Sequence, residues 1–290
     1  MAGQRLRQPG APGLTPLWLE ARGLAGVRWA SGSLPVIALH GWLDNAHSFL
    51  PLSEHLRDLD LIALDFPGHG HSRPRPEGCR YLFDDYLFDV CAAANALGLD
   101  RFHLLGHSLG GAVASMLAAA CPERVISVVL IEALGPLTTA EQDTVAAWRR
   151  ALAGSRPRRV RAHSSRDSAI AARVASGDLG QTEAAILADR GLIENEKGFH
   201  WSHDRRLTWP APHRYTEGQV LAMLAAIEAP ALVIHADPIS PVLGPANLQR
   251  RLAALRQRQL ISHPGGHHLH MQHAGRLAPA IQEFFHEHHA

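Results

Sequence analysis

Gly106-His107-Ser108-Leu109-Gly110 sets one serine between two glycines. Upstream, Arg101-Phe102-His103-Leu104-Leu105 reads as a short buried strand. Downstream, Gly111 to Ala120 reads as a helix stopped by Cys121-Pro122. Strand, G-x-S-x-G turn and helix together form the setting that a nucleophile elbow requires. So sharp a turn demands a strained backbone at Ser108 and neighbours two positions away that lack side chains. It lifts the hydroxyl clear of the sheet and leaves the Leu109 amide at a helix start, where negative charge is stabilised. A glycine-bounded turn with an incidental serine would explain neither flank.

On either side of the elbow, short apolar runs alternate with helical patterns, which predicts βα units and a mainly parallel sheet. Leu17 to Ala21 and Gly26 to Trp29 alternate in character and predict an entering antiparallel hairpin. Pro35 to Leu39, Leu61 to Leu64 and Val125 to Ile131 read as strands, and Asp84 to Leu97 as a helix closed by Gly98. After Glu132 the buried β runs stop. From Leu134 to Gly218 the chain is alanine-rich and charged, with helices expected near Ala140 to Ala153, Asp167 to Ala175 and Gln181 to Gly191. The expected organisation is a core domain of residues 1–133 and 219–290 carrying a helical cap of residues 134–218. The βα rhythm resumes with a helix at Glu217 to Glu228 and strands at Ala231 to Ala236 and Arg258 to Ser262. Two further helices are expected at Asn247 to Leu255 and His273 to Glu287.

The composition excludes several classes. A net charge of +1 over 290 residues points to neither nucleic acid nor an anionic membrane surface. The densest basic run, Arg156 to Arg161, reads as a solvated helix end. Cys79, Cys91 and Cys121 are widely spaced and odd in number, which suits a reducing compartment better than a disulfide framework or a zinc site. Met1 to Arg5 lacks the apolar core of a secretory signal, and the longest apolar stretch, near Ala112 to Ala120, is too short to span a bilayer. A cytoplasmic protein is expected.

A serine hydroxyl needs a base within hydrogen-bond reach and a third group to orient that base. With 20 histidines in the chain, position must select one. Gly265-Gly266-His267-His268-Leu269-His270 follows the last predicted strand, and open α/β sheets place their sites at the carboxyl ends of strands. His267, directly after the glycines, is the expected base. His268 and His270 are expected to pack, since one site uses one base, and His286, His288 and His289 to lie on an exposed helix end. A metal reading of the cluster lacks acidic or cysteine partners nearby in sequence. Acyl transfer also needs two amide donors for the oxyanion. Leu109 supplies one, and His40-Gly41-Trp42 at the end of an earlier strand supplies the other from Trp42. Asp44, Asn45 and Asp65 read as turn and loop residues, and His107 as packing beneath the cap.

Taken in order, His40-Gly41-Trp42, the elbow and Gly266-His267 resemble the α/β-hydrolase superfamily. The loop Asp65 to Ser72 and a cap inserted after the sixth strand are also similar to that family. More narrowly, His40 to Asn45 and Leu130 to Pro136 resemble the serine hydrolase-like proteins, and the likeness runs from about Trp18 to Phe285. The resemblance implies an α/β-hydrolase fold with a mostly parallel sheet flanked by helices. It also implies an Asp in a G-x-x-D turn after the seventh strand, and there this chain departs. Ala236 replaces the glycine, Ile239 stands where the acid belongs, and Asp237 comes two residues early. Some capped relatives, a subset of the haloalkane dehalogenases among them, carry the acid at the end of the sixth strand instead. Glu132 sits there, and a carboxylate after Val128 to Ile131 is costly to bury without a partner. Glu132 is the preferred acid and Asp237 the alternative.

These residues predict a serine hydrolase acting through an acyl-enzyme on a small, largely apolar ester or related acyl compound, with no metal or organic cofactor. The alternatives are an acyltransferase using the same intermediate and a ligand-binding module on the same fold. Trp148, Phe199, Trp201 and Trp209 are expected to form the cap's own core or to line its pocket.

Overall fold

The computed structural model describes residues 13–20, 22–156, 162–177 and 179–289. The Met1 to Arg5 stretch and most of the Arg156 to Arg161 run lie outside the described residues. Eight strands form one sheet: β1 (Leu14–Leu19), β2 (Leu24–Ala30), β3 (Gly32–Leu39), β4 (Asp58–Leu64), β5 (Phe102–His107), β6 (Val125–Ile131), β9 (Ala231–Asp237) and β10 (Arg258–Pro264). Their spatial order is β1-β2-β4-β3-β5-β6-β9-β10. β1 and β2 form the expected hairpin, β2 joins β4 antiparallel, and every later pairing in this sheet is parallel.

The parallel strands are apolar on both faces because helices cover both. Successive residues of β5, β6 and β9 point to opposite sides. Leu104, Val128, Leu130 and Val233 pack under α2 (Asp85–Ala96) and α3 (Leu109–Ala120). Leu105, Val129, Ile131, Leu232 and Ile234 pack against Leu277, Ile281, Phe284 and Phe285 of α10 (Ala274–Glu287). The short α1 (Leu50–Ser53) lies on the α10 side and α7 (Glu217–Ala225) and α8 (Pro245–Ala254) on the other, while α9 (Leu269–Gln272) follows the Gly265-Gly266 loop. Among the described residues no helix is long and apolar enough to cross a membrane.

Between β6 and α7 the chain leaves the sheet and forms α4 (Thr144–Gly154), α5 (Arg166–Ala175) and α6 (Gln181–Gly191). This stretch, expected to be helical, also contains two short strands. β7 (Leu192–Asn195) and β8 (Gly198–Trp201) pair as a separate two-stranded antiparallel ribbon. Each strand is only four residues long and half exposed, so neither carries the apolar run that marks the main strands. Gly198 opens β8 directly after the turn, with a φ of 107° that glycine accommodates. Ile170, Leu179, Leu187 and Leu192 form a small core of this segment, joined by Trp201 and by Met271 of α9. Trp148 is exposed instead.

Helix α5 begins with a reciprocal cap, in which the Ser168 amide donates to Ser165 Oγ and the Ser165 amide to Ser168 Oγ, each at 3.1 Å. Ser165→Ala is expected to cost about 1 kcal/mol, read as a lower urea midpoint with an unchanged slope.

Candidate active site

Three strand ends converge on one point. At the end of β5, Ser108 holds φ 51° and ψ −113°, a conformation rarely adopted by a residue with a side chain. Its amide donates to the Ile131 carbonyl at 3.0 Å, and the Gly110 amide donates to the His40 carbonyl at 3.0 Å, which locks the turn between neighbouring strands. The two elbow glycines are sterically required. A Cβ on Gly106 would lie 2.5 Å from the Gly110 carbonyl oxygen, and one on Gly110 only 1.9 Å from that of Leu39. Ser108 is left half-buried at the N-terminus of α3.

His267 stands over Ser108 from the loop after β10. Its Nε2 lies 2.9 Å from Ser108 Oγ, and its Nδ1 lies 3.1 Å from Glu132 Oε2. A carboxylate only accepts, so Nδ1–H donates to Glu132 and the Nε2 lone pair faces the serine hydroxyl. Glu132 is fully buried, directly after β6, with φ 53°. Its Oε1 accepts the Ala236 amide at 2.6 Å. Burial raises the Glu132 carboxyl, but hydrogen bonds from His267 and from the Ala236 amide outweigh it and hold the group below the usual carboxylate range. Asp237, at the exposed end of β9, is not the carboxylate that meets His267 Nδ1.

Leu109 follows Ser108 at the start of α3, and Trp42 lies on the loop after β3, the strand that pairs with β5. Neither backbone amide has an acceptor among the described residues. The Trp42 side chain is exposed, and its indole N–H donates to the Leu207 carbonyl at 3.2 Å, a contact with the segment between β6 and α7. His40 is buried with Nδ1 on the Gly41 carbonyl at 2.7 Å, while Nε2 accepts the Phe66 amide at 3.0 Å. It braces the Asp65 to Ser72 loop rather than the serine.

Beneath the base lies a polar cluster that the sequence scatters over three segments. Asp44, His107, His268 and His270 are all buried. The His107 ring lies 4.0 Å from that of His270, which in turn meets Ser48 Oγ at 2.6 Å. Arg173 of α5 donates to Asp44 Oδ1 at 2.8 Å, and Asn45 Nδ2 donates to the Leu187 carbonyl of α6 at 2.9 Å. Asp65 is fully buried against Arg190 of α6. Arg173 and Arg190 escaped the sequence reading because nothing near either residue marks it as a partner of a carboxylate more than a hundred residues away.

An open, mostly parallel sheet with a strained serine at the β5 end and a histidine and a carboxylate on the next loops defines the α/β-hydrolase class. The family described as alpha/beta hydrolase fold matches residues 35–274, and this chain belongs to it. The chain is similar to a serine hydrolase-like protein of Danio rerio, 31% identical over 92% of this chain and 85% of the relative. Among solved structures it is similar to a hypothetical protein of Pseudomonas aeruginosa PAO1. That protein is 36% identical with a TM-score of 0.85, over 94% of this chain and 99% of the other. It also shares its fold with the thioesterase domain from the curacin biosynthetic pathway, at a TM-score of 0.78, 24% identity and coverage of 94% and 99%. Family membership and the names of its relatives support a hydrolase.

Proposed function

We propose that this protein is a serine hydrolase that cleaves small, largely apolar esters or thioesters. The observation that carries this reading is the unbroken line Ser108 Oγ, His267 Nε2, His267 Nδ1 and Glu132 Oε2, with contacts of 2.9 and 3.1 Å. In the proposed cycle His267 takes the Ser108 proton as the hydroxyl oxygen attacks the acyl carbon. The Leu109 and Trp42 amides hold the oxygen that becomes negative. His267 then returns its proton to the departing alcohol or thiol. Water, deprotonated by the same histidine, releases the acid and restores Ser108. Glu132 keeps the proton on Nδ1 and stabilises the imidazolium that forms twice per turnover.

The segment of residues 134–218 acts in this reading as a cap over the site, tied to it through Trp42–Leu207, Asn45–Leu187 and Asp44–Arg173. An apolar acyl group suits the alanine-rich segment. Thioesters are included because the same acyl-enzyme chemistry expels a thiol as it does an alcohol. A cytoplasmic location belongs to the same reading and rests on three cysteines that are widely spaced and odd in number.

The test is a fluorophosphonate probe with Ser108→Ala as control, the adduct being located by peptide mass spectrometry. The expected result is an adduct on Ser108 that the variant lacks. A folded protein that takes no label would replace the hydrolase with a ligand-binding module. Ester or amide formation outrunning hydrolysis when alcohols or amines are added would make it an acyltransferase.

A further inference from the structure

We infer that Asp44, His107 and His268 form a binding site for a divalent transition ion of the zinc type, directly beneath the proposed catalytic base. Their ligand atoms, one from each side chain, lie within 4.8 Å of one another, and all three residues are buried. Asp44 Oδ2 is 3.7 Å from His107 Nδ1 and 3.2 Å from His268 Nε2. An ion with tetrahedral arms of about 2.0–2.1 Å sets its ligand atoms about 3.4 Å apart. The two separations bracket that value.

The decisive feature is His107 Nδ1. On the other side of the ring, Nε2 lies 2.8 Å from the His267 carbonyl, which only accepts, so in the neutral imidazole Nε2 carries the proton. Nδ1 is then a bare lone pair. It is fully buried, has no hydrogen-bond partner among the described residues, and points towards a carboxylate oxygen. Two acceptors facing each other in a dry interior repel unless a cation lies between them. Gly41 leaves room there: a Cβ on that residue would sit 2.8 Å from Asp44 Oδ2 and 2.9 Å from His107 Nδ1.

The surroundings also fit. Arg173 binds the other oxygen of Asp44 at 2.8 Å and orients the carboxylate while leaving Oδ2 available. The His267 carbonyl fixes His107 in the tautomer a ligand needs, as such partners do in metal sites. On binding, the ion takes the place of the proton that His268 Nε2 directs at Asp44, and the neutral ring switches tautomer so that its one proton sits on Nδ1 and the Nε2 lone pair faces the ion. Two imidazoles and one carboxylate select zinc or a neighbouring ion rather than calcium or magnesium. The acidic partner missing from the sequence around His267 to His270 comes from the loop after β3.

The test is equilibrium dialysis of the full chain against micromolar zinc chloride, followed by metal analysis. Because exposed histidines also bind zinc, His286→Gln/His288→Gln serves as the control. One ion per chain is expected in the wild type and in the control. His107→Gln and His268→Gln, each shown to be folded by its melting curve, are expected to bind about 100-fold more weakly. Zinc is expected to raise the wild-type melting temperature by about 5 °C when it exceeds Kd about a hundredfold. A second measurement needs no variant: cobalt(II) in the wild type is expected to show the intense visible bands of a low-coordinate site. Unchanged affinity in folded His107→Gln and His268→Gln would overturn the assignment. So would loss of binding in the control, or cobalt spectra identical to the aquated ion. None of these readouts depends on catalytic activity.

Discussion

Glu132→Gln is expected to lower kcat about 10⁴-fold, some 5.5 kcal/mol of transition-state stabilisation, while Asp237→Asn leaves it within about twofold. The two substitutions remove the same charge from the ends of neighbouring strands, so the comparison isolates position. Glu132 has both oxygens committed, Oε1 to the Ala236 amide at 2.6 Å and Oε2 to His267 Nδ1 at 3.1 Å. A glutamine has one oxygen for these two donors. If its oxygen stays on the amide, its NH₂ group faces Nδ1 and favours the tautomer with the proton on Nε2. Ser108 then meets an N–H instead of a lone pair. Steady-state kinetics on a short-chain p-nitrophenyl ester, with circular dichroism to confirm folding, reads the result. A loss of several orders of magnitude in Asp237→Asn alone would move the acid to β9. Burial raises the Glu132 carboxyl, but its hydrogen bonds keep it low, so the group remains charged across the neutral range.

Arg190→Met is expected to destabilise the fold by about 3–5 kcal/mol, because it strands a buried carboxylate. Arg190 Nε lies 2.9 Å and Nη2 2.7 Å from Asp65 Oδ2, and Nη2 also donates to the Gly26 carbonyl at 3.2 Å. Asp65 accepts the Ala46 and His71 amides as well, each at 2.8 Å, so the carboxylate organises the loops at the ends of β3 and β4. Burial pushes the Asp65 carboxyl up, and Arg190 outweighs it, leaving the group well below the usual carboxylate range. In the wild type this pair therefore contributes stability above the unfolded-state pKa of about 3.9, and the contribution fades as pH falls below that value towards the folded pKa. Without Arg190 the burial cost dominates and the folded pKa rises above the unfolded one. The variant is then expected to gain stability relative to the wild type as pH drops from 7 to 5. Urea melts across that range check the sign, and parallel stability profiles for the two proteins would rule the ion pair out as its source.

Much of this molecule is legible without coordinates. The buried strands announce themselves as runs such as Val128 to Ile131 and Leu232 to Ile234, because a sheet covered on both faces has no polar side to display. The elbow is legible because no residue but glycine fits at 106 or 110, where backbone atoms lie within 2.5 Å of any Cβ. The β7–β8 ribbon was not legible, since four-residue half-exposed strands carry too little apolar pattern to register.

The sequence by itself determined the class of fold, the elbow serine and the glycine loop from which a histidine reaches back, all consequences of local sterics and apolar periodicity. Only the tertiary structure decided which carboxylate meets that histidine. Glu132 and Asp237 close adjacent parallel strands, and local sequence does not set which way the side chain after each strand end points. The same holds for Arg190 on Asp65, Arg173 on Asp44, and Asp44 between His107 and His268. Each joins residues far apart in the chain, and a buried charge chooses its partner by proximity in three dimensions.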